Sequence, residues 1–187
     1  AGCGGLTEGF SQTGKYEFTA SVEWDKSCCE TLRKRLHDKY HISDADSRVL
    51  YFDIQRSDEL INGWTDDPIF GNNDGLSSIT RNIDIIVGGP PCQAYSLAGR
   101  IRDKNGMRND YRNYLFENYA SLVSYYKPKL FVFENVLGLL SAKPGGEPIV
   151  DKIRASFDRI GYAIISDLRD AVFDVADFGV PQHRKRL

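Results

Sequence analysis

The sequence predicts an α/β fold in which helices flank a mostly parallel central sheet. Two short apolar runs, at 83–87 and 130–133, are typical of buried parallel strands. Segments with apolar residues at helical spacing separate the strand candidates, as the crossovers of a parallel sheet require. Chemically active side chains follow both runs, and ligands bind at this carboxyl edge in open α/β sheets.

Composition sets broad limits on the function. The chain has 187 residues, enough for one domain, with 41% hydrophobic and 27% charged residues, as in soluble globular proteins. No apolar run approaches the roughly 20 residues that a membrane-spanning helix needs, so we expect a cytoplasmic protein with no membrane partner. The net charge of −2 argues against a wholly basic nucleic-acid binder and leaves room for a local basic patch.

Cysteine spacing argues against a metal site. The four cysteines show neither C-x-x-C spacing nor a paired metal-ligand pattern. Cys28 and Cys29 are adjacent within a helical pattern, so we expect both to be buried thiols, as suits a reducing cytosol.

The chain opens on a glycine-rich turn, Ala1 to Gly5, with a helix predicted from Leu6 to Gln12. Such a turn lets a ligand approach the backbone closely where the helix begins. It differs from the dinucleotide fingerprint because Thr7 stands where a third glycine belongs. An ordinary loop is the alternative.

A short strand is predicted from Tyr16 to Val22, with Glu23 and Trp24 at its end. Glu23 follows Gly5 at close to the roughly 20-residue offset at which an acid meets ribose hydroxyls in nucleotide folds. Trp24 could lay its indole on an adenine ring. The alternatives are a solvated strand-end acid and a core tryptophan.

A second strand–helix pair follows. Asp25 is a good N-cap for a helix that runs to Tyr40, and Val49–Ile54 reads as the next strand. Asp53 could accept from an adenine amino group or simply cap the turn. Residues 57–82 are polar and are predicted to hold one weak helix plus a loop, with no recognisable chemistry.

The central strand at 83–87 ends in two glycines and two prolines, directly before Cys92. A thiol just beyond the carboxyl end of a buried strand is a candidate nucleophile. The following segment, 97–113, is locally basic and includes Arg100. It could close over a phosphate backbone or form a solvated surface loop.

The second half repeats the strand–helix alternation. We predict a helix over 114–126, a strand over 130–133, a helix over 149–160 and a strand from Tyr162 to Leu168. Glu134 directly follows the strand at 130–133 and is a candidate general acid on the same edge as Cys92, or a cap of the next helix. Near the end, alternating polar side chains would share one face of an extended segment: Gln182, Arg184 and Arg186.

Taken together, these motifs resemble the cytosine-5 DNA methyltransferases in order and over essentially the whole chain. The matching stretches are Ala1-Gly2-x-Gly4-Gly5, Glu23-Trp24-Asp25, Asp53-Ile54, Gly89-Pro90-Pro91-Cys92-Gln93-Ala94-Tyr95-Ser96, Glu134-Asn135-Val136 and Gln182-x-Arg184-x-Arg186. The resemblance implies a Rossmann-like, three-layer αβα methyltransferase fold and S-adenosylmethionine as methyl donor.

The resemblance also implies residue roles. Catalysis would fall to Cys92, Glu134 and Arg184. The cofactor would be held by Ala1, Gly2, Cys3, Gly4, Gly5, Glu23, Trp24, Asp53, Ile54, Pro91 and Leu115. The substrate, double-stranded DNA with its target cytosine flipped out of the helix, would be contacted by Gln93, Ser96, Arg100, Gln182 and Arg186.

The resemblance also implies how much of the catalytic domain the chain covers. Residues 1–187 would be a partial catalytic domain that lacks the family's first strand, last strand and target-recognition domain. We expect such a piece to be monomeric and, alone, to have little or no activity. The rival interpretations are a tRNA cytosine-5 methyltransferase on the same scaffold, a catalytically silent cofactor-binding relative, and a nucleotide-dependent oxidoreductase.

Overall fold

The computed structural model describes residues 1–90 and 114–187. Within them the chain forms two compact units, residues 1–85 with 126–129, and residues 86–125 with 130–187. No helix in these ranges is both long and apolar enough to span a membrane.

The helices predicted at 6–12, 25–40, 114–126 and 149–160 are confirmed to within a residue or two, whereas the short helix at Ala45–Arg48 was not predicted. In chain order they are α1 (Gly5–Ser11), α2 (Lys26–Tyr40), α3 (Ala45–Arg48), α4 (Ser57–Asn62), α5 (Leu76–Ile79), α6 (Leu115–Tyr126) and α7 (Ile149–Arg159). Asp25 caps α2 as predicted, because its side chain accepts a hydrogen bond from the Cys28 N–H at 3.0 Å. Short 3₁₀ turns lie at Leu137–Ser141, Pro144–Gly146, Leu168–Ala171 and Val175–Phe178.

The strands are short and pair in twos. They are β1 (Ser21–Glu23), β2 (Val49–Tyr51), β3 (Trp64–Asp67), β4 (Gly71–Asn73), β5 (Ile85–Gly88), β6 (Leu130–Phe133), β7 (Phe173–Asp174) and β8 (Lys185–Arg186). In the described residues the pairs are β1–β2, β3–β4, β5–β6 and β7–β8. The mixed α/β character is thus confirmed. The three-layer arrangement, with one continuous sheet between two layers of helices, is not confirmed.

In the first unit, β1 and β2 run parallel, with Glu23 opposite Tyr51. The Phe52 N–H donates to the Glu23 carbonyl at 3.0 Å, so the two strands end side by side. Helix α2 covers them with a buried cluster made of Cys29, Leu32, Leu36, Ala45 and Val49. The carboxyl edge therefore gathers the residues after each strand, as the sequence predicted.

For 57–82 the predicted helix is confirmed, but the predicted loop was wrong. This segment holds α4, an antiparallel hairpin of β3 and β4, and α5. Its order comes from tertiary contacts that a polar composition hides: Phe52 stacks on Trp64 at 3.8 Å between ring centroids. Arg56 also binds Asp67 at 2.6 Å.

In the second unit, helices α6 and α7 bury one apolar cluster beside β5 and β6. Its fully or nearly buried members include Tyr119, Val123, Ile149 and Phe157. Phe131 of β6 stacks on Phe157 at 4.3 Å. The strands that lead to the candidate catalytic residues thus pack against a cluster formed by two helices.

The strand predicted from Tyr162 to Leu168 was also wrong, since this segment forms no ladder in the structure. Arg154 of α7 supplies the reason. Its guanidinium donates to the carbonyls of Ile164, Ile165 and Ser166 at 3.1–3.2 Å. A side-chain donor thus occupies the carbonyl oxygens that would otherwise accept hydrogen bonds from a neighbouring strand.

Candidate functional site

In the first unit, Glu23 is bound by the glycine turn. Its Oε2 accepts from the Ala1 nitrogen at 2.7 Å and from the Gly2 N–H at 2.5 Å, and its Oε1 accepts from the Asp25 N–H at 2.9 Å. Gly2 has a φ of +58°, which favours glycine there. The turn, the strand end and the start of α2 therefore converge on one carboxylate.

Glu23 is not the solvated acid of the alternative interpretation, since its side chain is only 15% exposed. Burial by itself would raise the pKa of this carboxyl group. The hydrogen bonds from the Ala1 nitrogen and from the Asp25 and Gly2 N–H groups outweigh burial and lower the pKa. The site therefore presents a fixed negative charge at neutral pH.

Trp24 is not a core residue, because it is 61% exposed. Its ring lies 6.3 Å from that of Phe70, tilted by 60°. An indole held at a strand end with most of its surface open offers a stacking face to a planar ligand.

Asp53 caps its own turn. Its Oδ1 accepts from the Gln55 N–H at 2.9 Å, which is the structural role that the sequence left open. The half-buried Ile54 follows it. Contact of Asp53 with an adenine amino group stays a prediction.

The other residues of the glycine turn have distinct surroundings. A Cβ on Gly4 would lie 2.5 Å from Leu32 Cδ1, so this glycine lets the turn pack closely on α2. Within the described residues, nothing lies within 4 Å of the Cβ positions of Gly2 and Gly5. Cys3 is exposed, between two glycines with positive φ.

In the second unit, β5 and β6 end together. The Glu134 N–H donates to the Gly88 carbonyl at 2.8 Å. A Cβ on Gly89 would lie 2.6 Å from Glu134 Oε2, so any larger residue at this position would require the carboxylate to shift. The start of the Gly-Pro-Pro-Cys motif is therefore in contact with the candidate acid.

Glu134 binds an arginine rather than capping a helix. Its Oε1 lies 2.9 Å from Arg186 Nε, and the following 3₁₀ turn has Val136 at its N-cap with no side-chain cap. Buried Asn135 exchanges backbone hydrogen bonds with Leu187 at 2.8 and 3.0 Å. This pairing holds Arg186 beside Glu134.

Gln182 and Arg184 have different surroundings from Arg186. Both are exposed, and the Arg184 N–H donates to Asp174 at 3.0 Å. The same aspartate contacts His183 Nδ1 at 3.2 Å. Sequence reasoning gave the catalytic role to Arg184 and missed Arg186 as the partner of Glu134, because residues two apart in an extended segment share a face.

The remaining predicted residues are placed as follows. Leu115 is buried in the first turn of α6. Pro91, Cys92, Gln93, Ser96 and Arg100 lie outside the described residues. No cluster of three or more His, Cys, Asp or Glu residues suited to a metal ion occurs in 1–90 or 114–187.

Comparison with known proteins gives the family. The model of the C-5 cytosine-specific DNA methylase family matches residues 1–187. The chain is 38% identical over 231 aligned residues to Type II methyltransferase M.Bpa9945I of Bacillus paralicheniformis, covering 100% of this chain and 51% of that protein. It is 34% identical over 188 residues to Type II methyltransferase M.DdeI of Desulfomicrobium norvegicum, covering 100% of this chain and 38% of that protein. The chain thus spans about half or less of these relatives, and it belongs to the C-5 cytosine-specific DNA methylase family.

Proposed function

We propose that the protein containing this chain transfers a methyl group from S-adenosylmethionine to carbon 5 of cytosine in double-stranded DNA. Family membership and the Type II methyltransferase names of its relatives support this function. The observation that carries the proposal is the close approach of Gly89 to the Glu134 carboxylate. Gly89 lies three residues before Cys92 in the sequence. We infer a Rossmann-like catalytic domain that acts as a monomer.

The residues of the first unit fit the cofactor. A carboxylate has about four lone-pair sites, and three N–H donors occupy Glu23, which leaves capacity for a ribose hydroxyl. The exposed Trp24 indole suits an adenine ring. When bound, S-adenosylmethionine supplies an electrophilic methyl group. Glu23 and Trp24 would fix the nucleoside, and the backbone of the glycine turn would line the remainder.

Cys92 would act as the nucleophile. Carbon 5 of cytosine is a poor nucleophile, and addition of the Cys92 thiolate to carbon 6 makes the ring an enamine that is nucleophilic at carbon 5. After methylation, loss of the carbon-5 proton expels the thiolate and restores the aromatic ring. An ordinary cysteine is only a few per cent thiolate at neutral pH, so a nearby cation or the substrate must assist.

Glu134, Arg184 and Arg186 would stabilise the negative charge that develops on the cytosine ring. Thiolate addition loads electron density onto ring nitrogen 3, where a proton held by Glu134 stabilises it. Arg184 is assigned to the exocyclic oxygen on sequence grounds. Arg186 touches Glu134, so we propose that it also orients this carboxyl toward the base.

DNA contacts would come from the basic segment 97–113, including Arg100, with Gln93, Ser96 and Gln182 near the flipped base. These assignments rest on sequence alone. The base must leave the duplex because its carbon 6 is unreachable while it is stacked.

The test is methylation by the full-length protein carrying this chain. Bisulfite sequencing of treated duplex DNA should report methylated cytosine, and Cys92→Ser should abolish methylation while S-adenosylmethionine affinity stays nearly unchanged. Cys29→Ala, at a buried thiol of α2, is the matched control and should retain activity. Methylation of tRNA but not DNA would overturn the proposed substrate, and full activity of Cys92→Ser would overturn the mechanism.

A further inference from the structure

Two thiols face each other beside the glycine turn. Cys3 Sγ lies 3.5 Å from Cys28 Sγ, within hydrogen-bonding distance for sulfur. Cys3 belongs to the turn and Cys28 to the first turn of α2, so the pair joins segments 25 residues apart in sequence. The mechanism proposed above uses neither sulfur.

We propose that Cys3 and Cys28 form a reversible disulfide that closes the glycine turn onto α2. Bond formation requires the sulfurs to move from 3.5 Å to about 2.0 Å. Cys3 lies between Gly2 and Gly4, and glycines lack the Cβ that would restrict the backbone adjustment this movement needs. Cys28 is fixed by its helix and by the hydrogen bond from its N–H to Asp25.

The oxidant we name is a low-molecular-weight disulfide such as oxidised glutathione. Cys3 lines an open groove of about 520 Å³ between α1 and α2, so a small peptide can reach it. The basic residues of the groove, Lys34, Arg35 and Lys39, are paired with Glu8 and Asp38, so access rather than charge admits the reagent. Cys29 differs sharply from this pair. It is fully buried, so the reagent cannot reach its sulfur.

The exchange balances in two steps. The Cys3 thiolate attacks one sulfur of the reagent, a Cys3–glutathione bond forms, and one glutathione thiolate leaves. Cys28 then gives up its proton to water and attacks the Cys3 sulfur, which releases the second glutathione. Two protein thiols are oxidised and one reagent disulfide is reduced. The hydrogen bond with Cys3 raises the pKa of Cys28 to about 11, consistent with Cys28 reacting second.

The consequence for the cofactor rests on the function proposed above. Cys3 directly follows Gly2, whose N–H holds Glu23, so pulling Cys3 toward α2 drags the donor away from the carboxylate. We expect the disulfide to weaken S-adenosylmethionine binding about tenfold, within the usual range of coupling between sites.

Peptide mapping tests the disulfide itself. The purified protein is treated with oxidised glutathione, alkylated and digested with trypsin. A cross-link should join the peptide that ends at Lys15 to the peptide 27–33, and dithiothreitol should remove it. Because that second peptide holds two cysteines, Cys28→Ser should lose the cross-link while Cys29→Ala retains it.

A glutathione adduct on Cys3 without a cross-link, or a cross-link that survives Cys28→Ser, would overturn the disulfide. Calorimetry with S-adenosylmethionine then tests the consequence on reduced and oxidised protein. Unchanged affinity on oxidation would overturn the effect on the cofactor. A cross-link in a protein whose reduced form binds no S-adenosylmethionine would instead contradict the proposed function and leave the thiol pair standing.

Discussion

Glu23 shows how one side chain organises its surroundings. It accepts hydrogen bonds from three nitrogen atoms, and Phe52 donates to its carbonyl, so its backbone and side chain serve different partners. The carboxylate is stabilised more by these donors than it is destabilised by burial, since its pKa is lowered. A charge held in this way links stability to pH.

We therefore expect Glu23→Gln to destabilise the fold by about 1–3 kcal/mol at pH 7, because an amide cannot accept from every donor. The folded-state pKa of Glu23 lies below its ordinary value of 4.5, so its contribution is present above that pH and is lost as the pH falls through the folded-state value. Urea unfolding at pH 7, 5, 4 and 3 should give a difference that shrinks below about pH 4.5. Glu30→Gln, an exposed carboxylate on α2, is the control, and a pH-independent difference would contradict the prediction.

At the scale of elements, the sequence predicts best where local signals decide. Helix α2 is capped by Asp25 as expected, and β6 covers the predicted run at 130–133. Prediction from the sequence fails where a contact with a distant residue decides the local structure. The carbonyls of 164–166 are taken by Arg154, and the hairpin of β3 and β4 depends on the stacking of Trp64 with Phe52.

The residues of the candidate site also fall into those that local sequence signals predict and those that long-range contacts decide. Strand ends are readable from the sequence, so Glu23 and Glu134 were found, and Trp24 was placed at the edge. The sequence does not identify Arg186 as the partner of Glu134, because this contact depends on the pairing of Asn135 with Leu187, between segments about 50 residues apart. Cys28 was expected to be buried, but it is partly exposed, because helical spacing cannot say which of two adjacent cysteines faces the core.

Tyr119 of α6 ties the two strands of the second unit together. Its hydroxyl lies 3.0 Å from the carbonyls of both Ile86 and Val132, and burial raises its pKa, so it stays a neutral donor. A Cβ on Gly88 would lie 2.7 Å from its ring. The ring therefore supports the strand that leads to Gly89 and the Cys92 motif.

Replacing this hydroxyl should loosen the strand pair. We expect Tyr119→Phe to lower the free energy of unfolding by about 1 kcal/mol, the usual net value of a buried hydrogen bond. Chemical denaturation measures the loss, and Tyr114→Phe, at an exposed tyrosine just before α6, should be near neutral. Equal effects of the two substitutions would remove the assigned role of Tyr119.

At the scale of the whole molecule, each compact unit has its own buried cluster and its own candidate residues. The candidate cofactor residues from Ala1 to Ile54 lie in the first unit. The second unit holds the candidate cofactor residue Leu115 and the candidates Glu134, Arg184 and Arg186. If the proposed function is right, binding and chemistry should respond to different substitutions. Each substitution is therefore assayed for both cofactor affinity and methylation, so that its effect can be assigned to binding or to chemistry.

The contrast is measured with Trp24→Ala and Glu134→Gln in the full-length protein. Trp24→Ala removes the stacking face and should weaken S-adenosylmethionine by about 1–3 kcal/mol in calorimetry, by analogy with base–aromatic stacking. Tyr16→Ala, at another partly exposed aromatic residue of the first unit, should leave affinity unchanged. Glu134→Gln keeps the cofactor residues intact but cannot deliver a proton, so single-turnover methylation should slow about 10²–10⁴-fold at unaltered affinity. If Glu134→Gln instead weakened the cofactor as much as Trp24→Ala did, the carboxyl group would serve binding, and the proton for ring nitrogen 3 would have to come from another residue.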